Sequence, residues 1–316
     1  VAEDFVISLK NLGGKHELED FDLVEAEYVD PISSNYRGFE IIELPPNGQG
    51  ATALLMLRLL EKFDLASMDP LGAERIHLEA EISKLAYSAR DRFIADPKMA
   101  NVDTEKFYSE SFADSLLNSI NVESVNSSNL ISNYNPHKDT VYLTAVDRDG
   151  MAVSLIFSVF DSFGTGLASE KYGILFQNRG SGFTLEVGHP NEAKAGKRPL
   201  HTIIPGMAKK DGKFLMSFGV MGGQYQANGH ARVLSNIIDF NMDIQEALSF
   251  PRSFGNEGIL QLEDGYSDHT AKILSDLGHL VQRPEKPIGG GQIVLRDKEL
   301  GVLIGASDPR KDGCAI

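Results

Sequence analysis

The stretch Thr140–Ser158, TVYLTAVDRDGMAVSLIFS, decides the fold of this chain. Two apolar, β-prone runs flank Asp147-Arg148-Asp149-Gly150, a turn sequence that ends in Asp-Gly. Apolar strands joined by such a turn form a hairpin. Just upstream, Asn118–Asn135 is full of Ser and Asn with scattered Ile, Val and Leu, the composition of a linker with little to pack. A linker running straight into a strand at Asp139-Thr140 is the first functional hint in the sequence.

Outward from the hairpin, the pattern alternates. Val1–Leu12 reads as a helix stopped by Gly13-Gly14. Phe21–Pro31 and Gly38–Leu44 read as strands, the second ended by Pro45-Pro46. Ala51–Phe63 is apolar on most of its faces, as expected of a buried helix. Within Asp69–Phe93, Leu78, Ile82, Leu85, Ala89 and Phe93 define one helical face, and Thr104–Leu117 reads as a further helix. Downstream come a hairpin at Lys210-Asp211-Gly212, then strand Phe214–Val220, Gly222-Gly223 and a helix through Ile238. Another helix covers His269–Leu277, and a last hairpin, Ile293–Ile304, turns at Asp297-Lys298. A strand-rich middle flanked by long helices predicts an α+β fold, sheets covered by helices.

Composition narrows the function. The net charge of −15 over 316 residues argues against nucleic acid, which needs clustered Lys and Arg. The most membrane-like stretch, Ala51–Leu57, stops at Arg58, far short of a span, so no membrane partner is expected. The single cysteine, Cys314, rules out an internal disulfide. It leaves the compartment open and fits a reducing one such as the cytoplasm better than an oxidising one. The chain opens at Val1 in what reads as mid-helix, so the sequence is expected to start partway through a longer product.

The familiar catalytic signatures are absent: no GxSxG, HExxH or GxxxxGK[ST]. Asp96, Asp103, Asp147 and Asp149 read as turn or cap residues, and no cofactor or metal site is expected. What remains is a Thr hydroxyl freed at a chain end. Such a hydroxyl needs a base beside it, and a newly exposed α-amine, with a pKa near ~8, is one. The sequence offers Thr140 opening a strand, a linker before it, Gly222-Gly223 as oxyanion donors and Ser158 as a hydroxyl to hold the amine. Each also has an ordinary reading. Thr is at home in any strand, paired glycines make tight turns, and Ser158 can be a polar-face residue. His201 and His230 read equally as surface or satisfied core histidines.

Taken together, the motifs go further. Thr140 with Ala145–Ser154 (AVDRDGMAVS) resembles the start of the small subunit of gamma-glutamyltranspeptidases. The resemblance continues in order through Phe163-Gly164-Thr165-Gly166, Gly173-Ile174-Leu175, Lys197-Arg198-Pro199-Leu200, Met221-Gly222-Gly223 and Gly305–Arg310 (GASDPR). Residues 1–139, with Tyr36-Arg37-Gly38 and Pro45-Pro46, resemble the distal part of the large subunit. The resemblance implies a four-layer αββα sandwich of the N-terminal-nucleophile hydrolase type. It also implies a proenzyme cut between Asp139 and Thr140, the two pieces remaining associated as subunits. Thr140 would then attack a γ-glutamyl-type amide, with Gly222 and Gly223 holding the oxyanion and Ser158 near the nucleophile. In relatives, the portion preceding this chain supplies an Arg for the substrate carboxylate and part of the sheet scaffold.

The sequence departs from the family at the substrate positions. The glutamate-binding Asn corresponds to Phe160, the Asp that holds the substrate amino group to Gly182, and the paired serines to His201-Thr202. Nearby, Arg179 offers a bidentate clamp for a carboxylate. The pattern is similar to a divergent bacterial branch that includes oxamate amidohydrolase-like proteins. The expected substrate is a small carboxylate-bearing amide held by Arg179 and His201, with homo-oligomers possible in principle. Two other readings stay open: a true gamma-glutamyl transferase using glutathione and an amino-acid acceptor, and an unprocessed, non-catalytic scaffold.

Overall fold

The computed structural model describes residues 1–126 and 139–316. Residues 127–138, which include the second half of the Ser/Asn-rich linker, lie outside the described residues, and so does the side chain of Asp139.

The chain opens with helices α1 (Ala2–Asn11) and α2 (Leu18–Asp22), followed by strands β1 (Ile32–Tyr36) and β2 (Phe39–Glu43). The strand expected at Phe21–Pro31 is therefore not formed. Glu17 and Asp20 close a capping box that starts α2, and the Phe21 ring packs edge-on to Phe5, while Leu23, Val24 and Tyr28 stay exposed. The polar run Ile32–Tyr36 is a strand because it pairs antiparallel with β2. Arg37 and Gly38, both at positive φ, make the turn between them.

Helix α3 (Gly50–Leu60) is buried at every residue except Arg58, as its all-round apolar sequence requires. Next come α4 (Ala73–Phe93), α5 (Thr104–Phe107) and α6 (Glu110–Leu117). The single helix expected over Thr104–Leu117 is broken because Asp103 caps the first segment and the Ser109 hydroxyl caps the second, accepting from Phe112 N–H at 3.2 Å. The hairpin is β3 (Asp139–Val146) and β4 (Ala152–Phe160), in register at Leu143↔Leu155. Asp147 Oδ1 accepts from Asp149 N–H at 2.9 Å and Met151 N–H at 2.8 Å, which fixes the turn.

The second half contains β5 (Gly206–Lys210), β6 (Lys213–Met221), α7 (Tyr225–Ile238), α8 (Ile244–Ser249), β7 (Ser253–Asn256), β8 (Ile259–Leu262), α9 (Asp268–Asp276), β9 (Leu280–Gln282), β10 (Gly290–Asp297) and β11 (Val302–Ser307). Six strands form one antiparallel sheet in the order β1-β2-β5-β6-β10-β11. The small β7-β8-β9 sheet, not foreseen from the sequence, packs Leu260 and Leu262 against Ile76 of α4 and Leu274 of α9.

Strand β6 shows how the layers stack. Alternate residues face opposite sides of a sheet. Met216, Phe218 and Val220 join the core beneath α3, α4 and α7, and the Phe218 ring meets His230 of α7. Ser217, Gly219 and Met221 face the β3–β4 hairpin instead. A Cβ on Gly219 would lie 2.3 Å from the Tyr142 ring of β3, so only glycine lets the hairpin seat. The fold is α+β. The described residues give helices, the six-stranded sheet and the two-stranded hairpin. The hairpin's outer face carries exposed Val141, Leu143, Val153, Leu155 and Phe157.

Candidate active site

Thr140 is the second residue of β3 and sits opposite Ser158, with a bulge between Asp139 and Thr140 in the pairing. Its hydroxyl donates to Ser158 Oγ at 3.0 Å. Ser158 Oγ also accepts the Phe160 N–H at 2.9 Å, and Phe160 adopts φ +79°. The strand bends here, and the nucleophile and hydroxyl candidates meet directly.

Thr140 and Gly222 share the wall of a cavity of about 540 Å³, with Met221, Tyr225, Gly289 and Ser162 among its other residues. Gly222 at φ +131° and Gly223 at φ +57° turn the chain from β6 into α7. A Cβ on Gly222 would fall 2.9 Å from Gly289 Cα, so neither conformation nor space admits a larger residue. The junction thus brings backbone close to the cavity that Thr140 faces.

Beside Thr140 lies a second cluster. The Arg179 guanidinium stacks 4.8 Å from the Phe160 ring centroid, and Nη1 donates to Thr202 Oγ1 at 3.0 Å. Its Nη2 is buried and has no hydrogen-bond partner among the described residues. Burial lowers the Arg179 pKa to about 10 against the opposing pull of Asp161, so the cation persists at neutral pH. His201 also has a buried Nδ1 without a partner among the described residues. Burial, then the charges of Arg179 and Arg198, lower its pKa to about 4, so the ring is neutral at pH 7. Arg179, Phe160 and Thr202 therefore come together, whereas Arg179, His201, Thr202 and Phe160 lie outside the lining of the large cavity. Gly182 is packed against the Leu200 carbonyl, where a Cβ would lie 2.4 Å from the oxygen. His230 is a satisfied core residue: Val220 N–H donates to Nε2 at 3.3 Å, so Nδ1–H donates to Glu43 at 2.6 Å.

Comparison with known proteins identifies the family. The family model described as gamma-glutamyltranspeptidase matches residues 1–316. The chain belongs to the gamma-glutamyltranspeptidase family. It is 33% identical over its whole length to the glutathione hydrolase-like YwrD proenzyme of Bacillus subtilis, covering 61% of that protein. It is 30% identical, again over its whole length, to the oxamate amidohydrolase proenzyme of Klebsiella pneumoniae, covering 60% of it. The crystal structure of cephalosporin acylase from Bacillus halodurans superposes with a TM-score of 0.89 at 36% identity, over 99% of this chain and 57% of that one. The chain thus spans about three-fifths of the length of these relatives.

In this family member, the residues that hold the glycine turn from behind escaped the sequence reading. Gln49 Nε2 donates to Gly223 O at 3.0 Å and to Thr202 O at 2.9 Å, tying the turn to the Arg179 cluster. Buried Arg90 donates to Gln49 Oε1 at 2.8 Å and to Gln224 Oε1 at 2.5 Å. The Tyr87 hydroxyl donates to Gln224 O. The available signal was a Gln directly before an apolar helix and an Arg late in another, both on segments that had to be buried.

His201 carries a pH prediction. Its folded pKa of about 4 lies below the unfolded 6.5, so the unfolded chain binds more protons between those values. Stability contributed by the neutral ring is complete above pH ~6.5 and is lost as pH falls toward ~4, by an amount on the order of 3 kcal/mol. Urea titrations at pH 7 and pH 4.5 should show that His201→Gln loses less stability than the wild type. Equal losses would remove His201 from the acid response.

The described residues contain no helix long and apolar enough to cross a membrane.

Proposed function

We propose that this chain is the greater part of a self-processing amidohydrolase that forms an acyl-enzyme on Thr140 from a small carboxylate-bearing amide. The hydrogen-bonded pair Thr140–Ser158 beside the Gly222 junction supports the chemistry. In processing, Thr140 Oγ1 attacks the Asp139 carbonyl carbon, and the peptide becomes an ester as the C–N bond breaks. Water then cleaves the ester, leaving a carboxylate on Asp139 and an α-amine on Thr140. That amine accepts the hydroxyl proton when Thr140 attacks a substrate amide. In this reading the backbone N–H groups of Gly222 and Gly223 receive the oxyanion, each donor contributing roughly 3–4 kcal/mol in comparable sites. The leaving amine takes the proton, and water resolves the ester.

One observation carries the substrate class: Arg179 keeps a buried Nη2 without an acceptor, next to a neutral His201. A buried guanidinium nitrogen without a partner costs free energy that a bound carboxylate recovers. Gly182 brings no carboxylate to hold a substrate ammonium. The expected result is ammonium release from oxamate-like amides, with Arg179→Ala raising KM by roughly 10–100-fold, as for a lost charged hydrogen bond of 1.5–3 kcal/mol, and leaving kcat within a few-fold. An unchanged KM would sink the assignment. The similarity to a protein named as glutathione hydrolase-like favours a second reading, gamma-glutamyl transfer. Product analysis of glutathione reactions with and without glycylglycine separates the two, because only a transferase makes γ-glutamyl-glycylglycine.

The finer architecture belongs to the same proposal. An apolar ladder of Val141, Leu143, Leu155 and Phe157 facing solvent is costly to leave open. We assign to it a further covering layer, contributed by the portion of the relatives that this chain does not span, which completes a four-layer αββα sandwich. The pieces 1–139 and 140–316 stay associated after the cut through the continuous core that α3, α4 and α7 share.

A further inference from the structure

Far along the sequence from Thr140, three metal-competent side chains converge. His77 and Glu81 stand one turn apart on α4, and His279 lies between α9 and β9. One donor atom from each falls within 4.8 Å of the other two. His77 and Glu81 are both 2% exposed, and His279 is partly buried. Two imidazoles and a carboxylate so placed offer three ligand atoms to one point.

We propose that His77, Glu81 and His279 form a site for a zinc-type divalent cation. The donor set of two imidazole nitrogens and one carboxylate oxygen suits such an ion, with a fourth position left for water. The His77 tautomer is already set. Asn121 O can only accept, so His77 Nε2, 2.8 Å away, carries the hydrogen, and the Nδ1 lone pair points at the cluster. His77 Nδ1 and His279 Nε2 stand 2.8 Å apart. Tetrahedral bonds of about 2.0–2.1 Å would spread them by roughly half an ångström. The competing cation is Lys84, whose ammonium pairs with Glu81 Oε1. Lys84 also donates to Asn126 O at 3.1 Å, a bond it keeps if an ion takes over the carboxylate.

The position gives the ion a task. Residues 121–126 fold over the cluster: Asn126 N–H donates to Glu81 Oε2 at 3.3 Å and Val125 N–H to Leu277 O at 3.0 Å. His77 and Glu81 precede the Asp139–Thr140 bond and His279 follows it, so an ion held here joins the two pieces left by processing. This clasp role rests on the cleavage reading above; the site itself does not.

The test uses chelator-stripped full chain, wild type and uncut Thr140→Ala, titrated with Zn²⁺ and with Co²⁺. Both should bind one ion per chain, with the visible absorption of tetrahedral Co²⁺. His279→Gln, at a loop position, and Glu81→Gln should each weaken Zn²⁺ binding by at least roughly 100-fold, more than loss of an outer partner does. Their metal-free circular dichroism should match the wild type, which shows that they fold. In the processed protein, Zn²⁺ should raise the urea concentration that separates the fragments, and should fail to do so in His279→Gln. Equal Zn²⁺ affinity in wild type and His279→Gln, or no binding to either, overturns the site and leaves a histidine–histidine hydrogen bond. Binding that depends on His279 without any effect on fragment separation overturns the clasp alone.

Discussion

Thr140→Ala is expected to yield one uncut chain of full mass where the wild type yields two fragments, one beginning at Thr140. The reason is local. The Thr140 hydroxyl donates to Ser158 Oγ on the facing strand, and the carbonyl that it must attack belongs to the residue before it. Alanine fills the strand position without strain but has no nucleophile. Amide hydrolysis should fall by at least about 10³-fold, since removing the nucleophile of an acyl-transfer site leaves only binding and oxyanion stabilisation. Thr140→Ser should retain slow processing, because the hydroxyl survives while the stiff β-branched rotamer is lost. Intact-mass spectrometry of the three proteins reads the result. Fragments in Thr140→Ala would place the scissile bond elsewhere. One uncut mass in all three would move the protein toward the non-catalytic scaffold.

Glu79→Ala should destabilise the fold by about 3–5 kcal/mol, the cost of breaking a buried ion pair from one side. Arg75 Nε donates to Glu79 Oε1 at 2.7 Å, and Arg232 pairs with Oε2. Burial opposes the Glu79 charge, but Arg232 and Arg75 outweigh it and hold the carboxyl below its usual range. Without Glu79, both guanidiniums stay buried with too few acceptors. Arg75 keeps Asn236 and Ser235, and Arg232 keeps the Pro251 carbonyl. The damage should reach the site, because Arg232 lies in α7, the helix that starts after Gly222-Gly223. Urea denaturation at pH 7 measures the loss. A change below about 1 kcal/mol would show that the cluster relaxes and takes up water.

The sequence disclosed this molecule unevenly, for physical reasons. The hairpin at Asp147–Gly150 was legible because turn residues and apolar runs act over a few positions. The α3 helix was legible because nothing polar but Arg58 and Thr52 interrupts it. Strand β1 was not, since Ile32–Tyr36 becomes a strand only by pairing with β2. Within the site, Thr140, Ser158 and Gly222 announced themselves through motif order. Gln49 and Arg90 did not, because their partners Gly223 and Gln224 lie more than 130 residues away. The same distance hid His77 from His279, 202 positions apart.

Tyr142 occupies the space that a side chain at Gly219 would need, so ring and glycine act as pin and socket between hairpin and sheet. Thr140 points from the same strand two residues away, toward the same side. The depth at which the proposed nucleophile sits is therefore gauged by the gap between the two sheets and not by any loop. If Arg179 and His201 select the acyl group as proposed, their loops can be retuned for another one while that gauge stays fixed. On the proposed mechanism, reactivity is set by the layers and selectivity by the loops at their edge.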